Sequence, residues 1–231
     1  MRNIPARRQA DEQGRRVTQE QASVAGKHAR VSVLATIGLL GIGLNAAALI
    51  LAPMLRPDVN PLRDGLSHYA VGPWSGLQSA AFIALGIGSL AIARALWLVS
   101  NGNLWTRIAA VMLGLASFNF VGLAIFPMGA GGPMTPIGDL HLTAGTFAIA
   151  WQFLSVGALL LGFKGWRQEE QIIRLGIVLL GITLLGAAFV QVAMWRPDLN
   201  IPEGLAMRCV IVPLLLWWAF VALTIRREAA R

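Results

Sequence analysis

Acids and bases lie in clumps along this chain, separated by charge-free, largely apolar runs of 17 to 31 residues. A helix rises ~1.5 Å per residue, so ~20 residues cross a ~30 Å hydrocarbon core. The runs therefore predict six membrane-spanning helices, at about 31–55, 74–97, 106–126, 139–162, 174–195 and 204–225. The expected fold class is all-α, a polytopic membrane protein. Residues 1–30 are different: they hold seven basic residues with Gln, Ser and Ala and no apolar run. They are expected to form a flexible basic cytoplasmic tail ahead of a six-helix transmembrane domain at 31–227, with the first helix acting as an uncleaved signal anchor.

Composition agrees with this class. Of 231 residues, 56% are hydrophobic and 13% charged, where a soluble chain carries about 25% charged. The net charge of +8 does not point to nucleic acid, because the bases sit where membrane topology would place them. If both termini are cytoplasmic, 15 Arg and Lys lie on the inner side, against four at the other side: Arg56, Arg63, Arg196 and Arg208. That bias orients the chain under the positive-inside rule. Trp74 and Trp195 then fall at the outer interface and Trp97, Trp105 and Trp166 at the inner one. One cysteine, Cys209, excludes an internal disulfide and any Cys-based metal cluster.

An internal repeat lies at an offset of 140. Residues 39–60 and 179–200 share 12 of 22 positions, including Arg56-Pro57-Asp58 with Asn60 against Arg196-Pro197-Asp198 with Asn200. The likeness continues into Gly65-Leu66 and Gly204-Leu205, and the middle pair of helices is a weaker third copy. The chain thus reads as three helical hairpins in a parallel repeat, related by an axis along the membrane normal. In each RPD-x-N, proline stops the helix while Asp and Asn supply acceptors for a turn; a duplicated ion or head-group contact is the functional alternative.

Ionisable groups cost ~2.5–3.5 kcal/mol at a span centre on the insertion scale, so their placement is informative. None is at mid-membrane; those entering the spans collect at the outer end. The candidate binding residues are Asp64, Ser67, His68, Asp139, His141, Glu203 and Arg208. Asp64, Ser67 and His68 have i, i+3, i+4 spacing, which a short helix would bring onto one face. Asp139 and His141 open the fourth span at the same level. Two His and two carboxylates can ligate zinc, and a positioned His can act as a general base. The structural alternatives are capping by Asp64 and Asp139, and snorkelling of Arg208 or its pairing with Glu203. Deeper in the spans, Asn45, Asn119, Gln152 and Gln191 fit interhelical hydrogen bonds, and Gly43 with Ala47 and Ala84 with Gly88 permit close helix contact.

Asp64-x-x-Ser67 before the second span, Phe126-Pro127 closing the third, Gly138-x-Leu140-His141 opening the fourth and Gly204-Leu205-x-x-Arg208 opening the sixth together resemble the bacterial six-helix membrane family catalogued as domain of unknown function 998. The resemblance covers about residues 30–227. It implies a multi-pass protein of the bacterial plasma (inner) membrane with both termini cytoplasmic, and it implies no cofactor and no established activity. That family often carries an acid soon after the Phe-Pro, where this chain has Met128-Gly129-Ala130-Gly131. A looser similarity is to six-helix eukaryotic membrane proteins linked with lipid organisation. The alkaline ceramidases are a further comparison, but their Ser-x-x-x-His and His-x-x-x-His spacings are absent here.

Three functions fit these residues. The first is binding or moving a lipid or small amphiphile at the outer-facing polar site, with membrane lipids as partners, no nucleic acid, and room for a homo-oligomer. The second is a metal-dependent membrane hydrolase using Asp64, His68, Asp139 and His141. The third is a non-catalytic scaffold subunit whose polar residues only pack helices.

Overall fold

The computed structural model describes residues 4–129, 135–163 and 169–230. Part of the loop after Phe126-Pro127 and the basic pair Lys164 and Arg167 lie outside the described residues. Six α-helices follow in order: α1 (Ile4–Leu55), α2 (Ser75–Val99), α3 (Leu104–Ile125), α4 (Pro136–Gly162), α5 (Glu169–Trp195) and α6 (Glu203–Ala229). Each is long and apolar enough to cross a membrane, and no strand occurs among the described residues. Apart from the start of α1, span ends fall within a few residues of the positions that hydropathy predicts, because backbone groups in lipid must be satisfied inside the segment and helix is the simplest solution.

Residues 4–30, the segment expected as a flexible tail, continue α1 upstream of the apolar segment as one helix of 52 residues. Ala, Arg, Gln and Glu are good helix formers, and Pro5 sits in the first turn, where it costs no helical bond. Residues 15–26 of this extension are exposed all round, so propensity and continuity with the span hold it helical rather than packing.

Successive helices are antiparallel neighbours. α1 packs on α2 and α6, α3 on α2 and α4, and α5 chiefly on α6 with a thinner contact to α4. Lipid offers no hydrophobic drive between apolar helices, so the bundle closes through small residues and hydrogen bonds. Ala35, Ala95, Ala109, Ala116 and Ala222 are fully buried with Leu96, Leu113 and Leu159. A close approach joins α1 to α2 through one of the two small pairs, Ala84 with Gly88, and not through Gly43. A methyl on Gly41 would overlap the Ala84 carbonyl and lie 2.9 Å from the Gly88 Cα, whereas Gly43 faces open space.

Of the four deep amides, two bond between helices: Asn45 Nδ2 donates to the Ala81 carbonyl (3.3 Å) and Gln152 Oε1 accepts from Trp218 Nε1 (2.9 Å). Asn119 instead bonds its own helix at Leu115, and Gln191 is exposed on α5. That helix is the least enclosed, with 11% of its most apolar window buried against 56% for α2 and α6. The α1–α2, α3–α4 and α5–α6 connections share one end of the bundle, called here the hairpin end, opposite the chain termini.

Candidate functional site

The α1–α2 connection, residues 56–74, is the longest described connection at the hairpin end, and ion pairing folds it locally. Arg56 Nε and Nη2 donate to the two oxygens of Asp58 at 2.8 and 2.7 Å. Its Nη1 donates onward to the Val71 carbonyl and, at 3.2 Å, to that of Pro73, so one guanidinium ties the beginning of the loop to its end. The hydrogen bond from Arg56 holds the Asp58 carboxyl below the usual carboxylate range, and that same bond raises Arg56. Asn60 Oδ1 accepts from the Leu62 and Arg63 amides at 2.9 and 3.2 Å, the turn that Asn makes with backbone just downstream. Asp64 Oδ2 accepts from the Asn60 amide at 2.6 Å, so this carboxylate closes the turn on itself.

The turned segment docks on the start of α6. The Gly204 and Leu205 amides, orphan donors of the first helical turn, bond the Arg63 and Leu62 carbonyls at 3.3 and 2.9 Å. Gly204 has no Cβ to prevent this: a methyl there would lie 2.6 Å from the Pro61 oxygen and overlap that of Asp64. One turn on, Arg208 Nη1 donates to the Pro61 carbonyl and, at 3.0 Å, to that of Gly204. Gly204-Leu205-x-x-Arg208 is therefore a clamp on the α1–α2 loop. The clamp leaves something over. Among the described residues Arg208 bonds only neutral carbonyls, forms no ion pair, and its Nη2 is buried without a partner.

Beyond the clamp the loop enters a 3-10 turn, Leu66–Ala70, anchored by Tyr69, whose hydroxyl donates to the Val59 carbonyl at 3.3 Å. The turn carries Ser67 to the head of α4. His141 is 1% exposed, and its Nε2 lies 2.7 Å from Ser67 Oγ. The other ring nitrogen, Nδ1, is 2.6 Å from the Phe126 carbonyl. A carbonyl only accepts, so Nδ1 carries the hydrogen; in the neutral ring Nε2 is then the acceptor and Ser67 the donor. Pro127 favours an extended Phe126 (φ −98°, ψ 99°), which ends α3 and turns the Phe126 carbonyl out of the helical ladder toward His141. The edge of Phe82 closes the ring in, with centroids 6.4 Å apart.

The candidate residues thus separate. Ser67 joins His141, while Asp64 and Arg208 hold the loop between them. Glu203 lies beside Gly65, its Oε1 2.8 Å from where a methyl on that glycine would sit. His68 does not share a face with Asp64 and Ser67: its Nδ1 returns to the Gly65 carbonyl at 3.1 Å, because the turn is 3-10 and starts after Asp64. Asp139 is exposed in the first turn of α4. Two residues from His141 on a helix, it points to another side, and capping there falls to Thr135, whose hydroxyl accepts from the Gly138 amide at 3.1 Å. Among the described residues no group of three or more His, Cys, Asp and Glu could hold a metal ion. The Phe126 carbonyl is the participant that residue types do not advertise; its signal is the proline after it.

Six apolar spans with their ionisable residues gathered at the ends define a multi-pass helical membrane protein. The chain belongs to the family described as protein of unknown function DUF998, whose model matches residues 39–224 and so takes in every residue of the loop, the clamp and the Ser67–His141 pair. No curated protein and no solved structure matches it.

Proposed function

We propose that the protein binds or moves a membrane lipid or small anionic amphiphile at the hairpin end, and that this end faces out of a bacterial plasma membrane with both termini inside. The observation that carries the reading is Arg208: a guanidinium one turn inside a span, held by two carbonyls, and among the described residues without an acid partner and with one buried nitrogen unbonded. Arg208 is half-buried, and a cation at that depth lacking its counter-charge is costly; a phosphate or carboxylate head group would supply both the charge and the missing acceptor, which Arg receives well through its planar fork. The 15-to-4 distribution of bases supports the orientation.

Native mass spectrometry of the detergent-released protein tests the binding. An anionic lipid is expected on the wild type and is expected to be lost from Arg208→Gln. Equal retention by the variant would overturn the reading. Should Arg208→Gln fail to fold, the wild type still decides: short-chain anionic amphiphiles are expected to raise its unfolding temperature and zwitterionic ones of equal chain length are not, and an equal response to both would overturn it.

A further inference from the structure

The hydroxyls along these helices show what an idle hydroxyl does here. Those of Ser100, Ser117, Thr183 and Thr224 each turn back to a carbonyl three or four residues upstream, the local bond that Ser and Thr make in helices, and that of Ser155 donates to the Ala109 carbonyl on α3; all of them end on carbonyls. Ser67 behaves otherwise. It stands on a 3-10 turn and reaches an imidazole 74 residues away at 2.7 Å. That imidazole is buried, enclosed by Phe82 and fixed in orientation by the Phe126 carbonyl at 2.6 Å. Hydroxyl to base, and base to a third group that sets its tautomer, is the arrangement that activates a nucleophile. Half-buried Ser67 stands on the accessible side of the pair, and His141 behind it is shielded.

We infer that Ser67 and His141 form a metal-free nucleophilic dyad that cleaves acyl esters of amphiphiles at the membrane surface. This rests on the binding reading above, which places such a molecule at the same loop. Ser67 Oγ attacks the ester carbonyl carbon, its proton passing to His141 Nε2 and the carbonyl electron pair to oxygen. The tetrahedral adduct collapses, the C–O bond to the alcohol breaks, and the departing alkoxide takes the proton from Nε2. Acyl-Ser67 remains. Water then gives a proton to Nε2 and attacks the acyl carbon, and Ser67 leaves with that proton, so that ester and water become acid and alcohol. Phe126 takes no part in bond making: its carbonyl holds Nδ1–H and so keeps Nε2 toward the serine.

A fluorophosphonate probe on the full-length, detergent-purified protein tests this, with the modified residue located by mass spectrometry. The wild type is expected to be labelled on Ser67, Ser67→Ala to lose that adduct, and His141→Gln to be labelled about a hundredfold more slowly or worse, the usual size of general-base assistance. An unlabelled wild type, an adduct elsewhere, or unchanged labelling of His141→Gln would overturn the dyad. If His141→Gln does not fold, the wild type decides: Ser67 is expected to be labelled far faster than the exposed Ser23, and labelling of Ser67 no faster than Ser23 would overturn the dyad. Lipid retained in an Arg208-dependent way without labelling would remove the dyad alone; labelling with retention indifferent to Arg208 would remove the binding reading alone.

Discussion

The two Arg-Pro-Asp loops are copies in sequence and in their ion pair, and they part company in everything attached to it. Arg196 grips Asp198 through Nε and Nη2 at 2.9 and 2.7 Å, almost the geometry of Arg56 with Asp58. Yet the Arg56 side chain is 12% exposed and that of Arg196 61%. Val59 is buried at 6% under Tyr69, while its counterpart Leu199 is 52% exposed. The second connection is short, 196–202, and passes through Asn200 in the left-handed region (φ 52°) straight into α6. The first spends residues 56–74 before α2 begins. A repeated motif therefore supplies only the local staple, and the candidate site is built on the stretch where the repeat breaks.

The copies also meet, since the start of α6 clamps the first loop, and this allows the sharpest test. Gly204→Ala drives a methyl into backbone oxygens of Pro61 and Asp64, which cannot step aside singly. It is expected to cost ~1–3 kcal/mol, as overpacking does, and to lower the thermal midpoint measured in detergent. Gly65→Ala, from the other side of the same contact, meets only the ends of Glu203 and Met207, and the backbone there (φ −62°, ψ 154°) suits any residue. Its stability is expected to stay within about 1 kcal/mol of wild type. Equal losses in the two variants would mean the clamp is not the rigid side of the contact.

Next in size is the pair of arginines. Arg56→Ala removes the ion pair together with the bonds to Val71 and Pro73, freeing the end of the loop that carries Ser67. Arg196→Ala removes an exposed pair, of a kind that contributes little. The first is expected to lower the midpoint measurably and to slow fluorophosphonate labelling of Ser67; the second is expected to change neither. If Arg196→Ala acts as strongly, the staple and not its attachment matters.

How far these features could be read in advance follows from their physics. The spans were legible because the bilayer imposes both length and helix, and the RPD repeat because a turn needs the same residue types wherever it recurs. The helical start of α1 was not, since a polar segment without a packed face carries no periodic signal. At the site, Ser67, His141 and Arg208 stand out as polar groups at span ends, but their partners do not. Which imidazole meets Ser67 depends on how the α1–α2 loop lies across the head of α4. The 3-10 turn then withdraws His68 from the face that i, i+3, i+4 spacing gives it. Asp139 looks equivalent to His141 by depth and differs by its direction on the helix.

The smallest effect separates charge from anchoring. In each loop the arginine's hydrogen bond holds the aspartate below its ordinary value. A carboxyl so depressed adds stability that is present above its unfolded-state pKa and is lost as pH falls through the lower folded value. Both aspartates are well exposed, 63% and 58% in the side chain, so solvent screens both pairs alike. Asp58→Asn and Asp198→Asn are thus expected to flatten the acid limb of the thermal midpoint against pH slightly and to the same degree, although the two arginines differ in what they hold. A larger flattening for Asp58→Asn would show that burial of Arg56 strengthens the pair itself. Equal flattening would leave the difference between the copies to the Val71 and Pro73 carbonyls, which do not titrate.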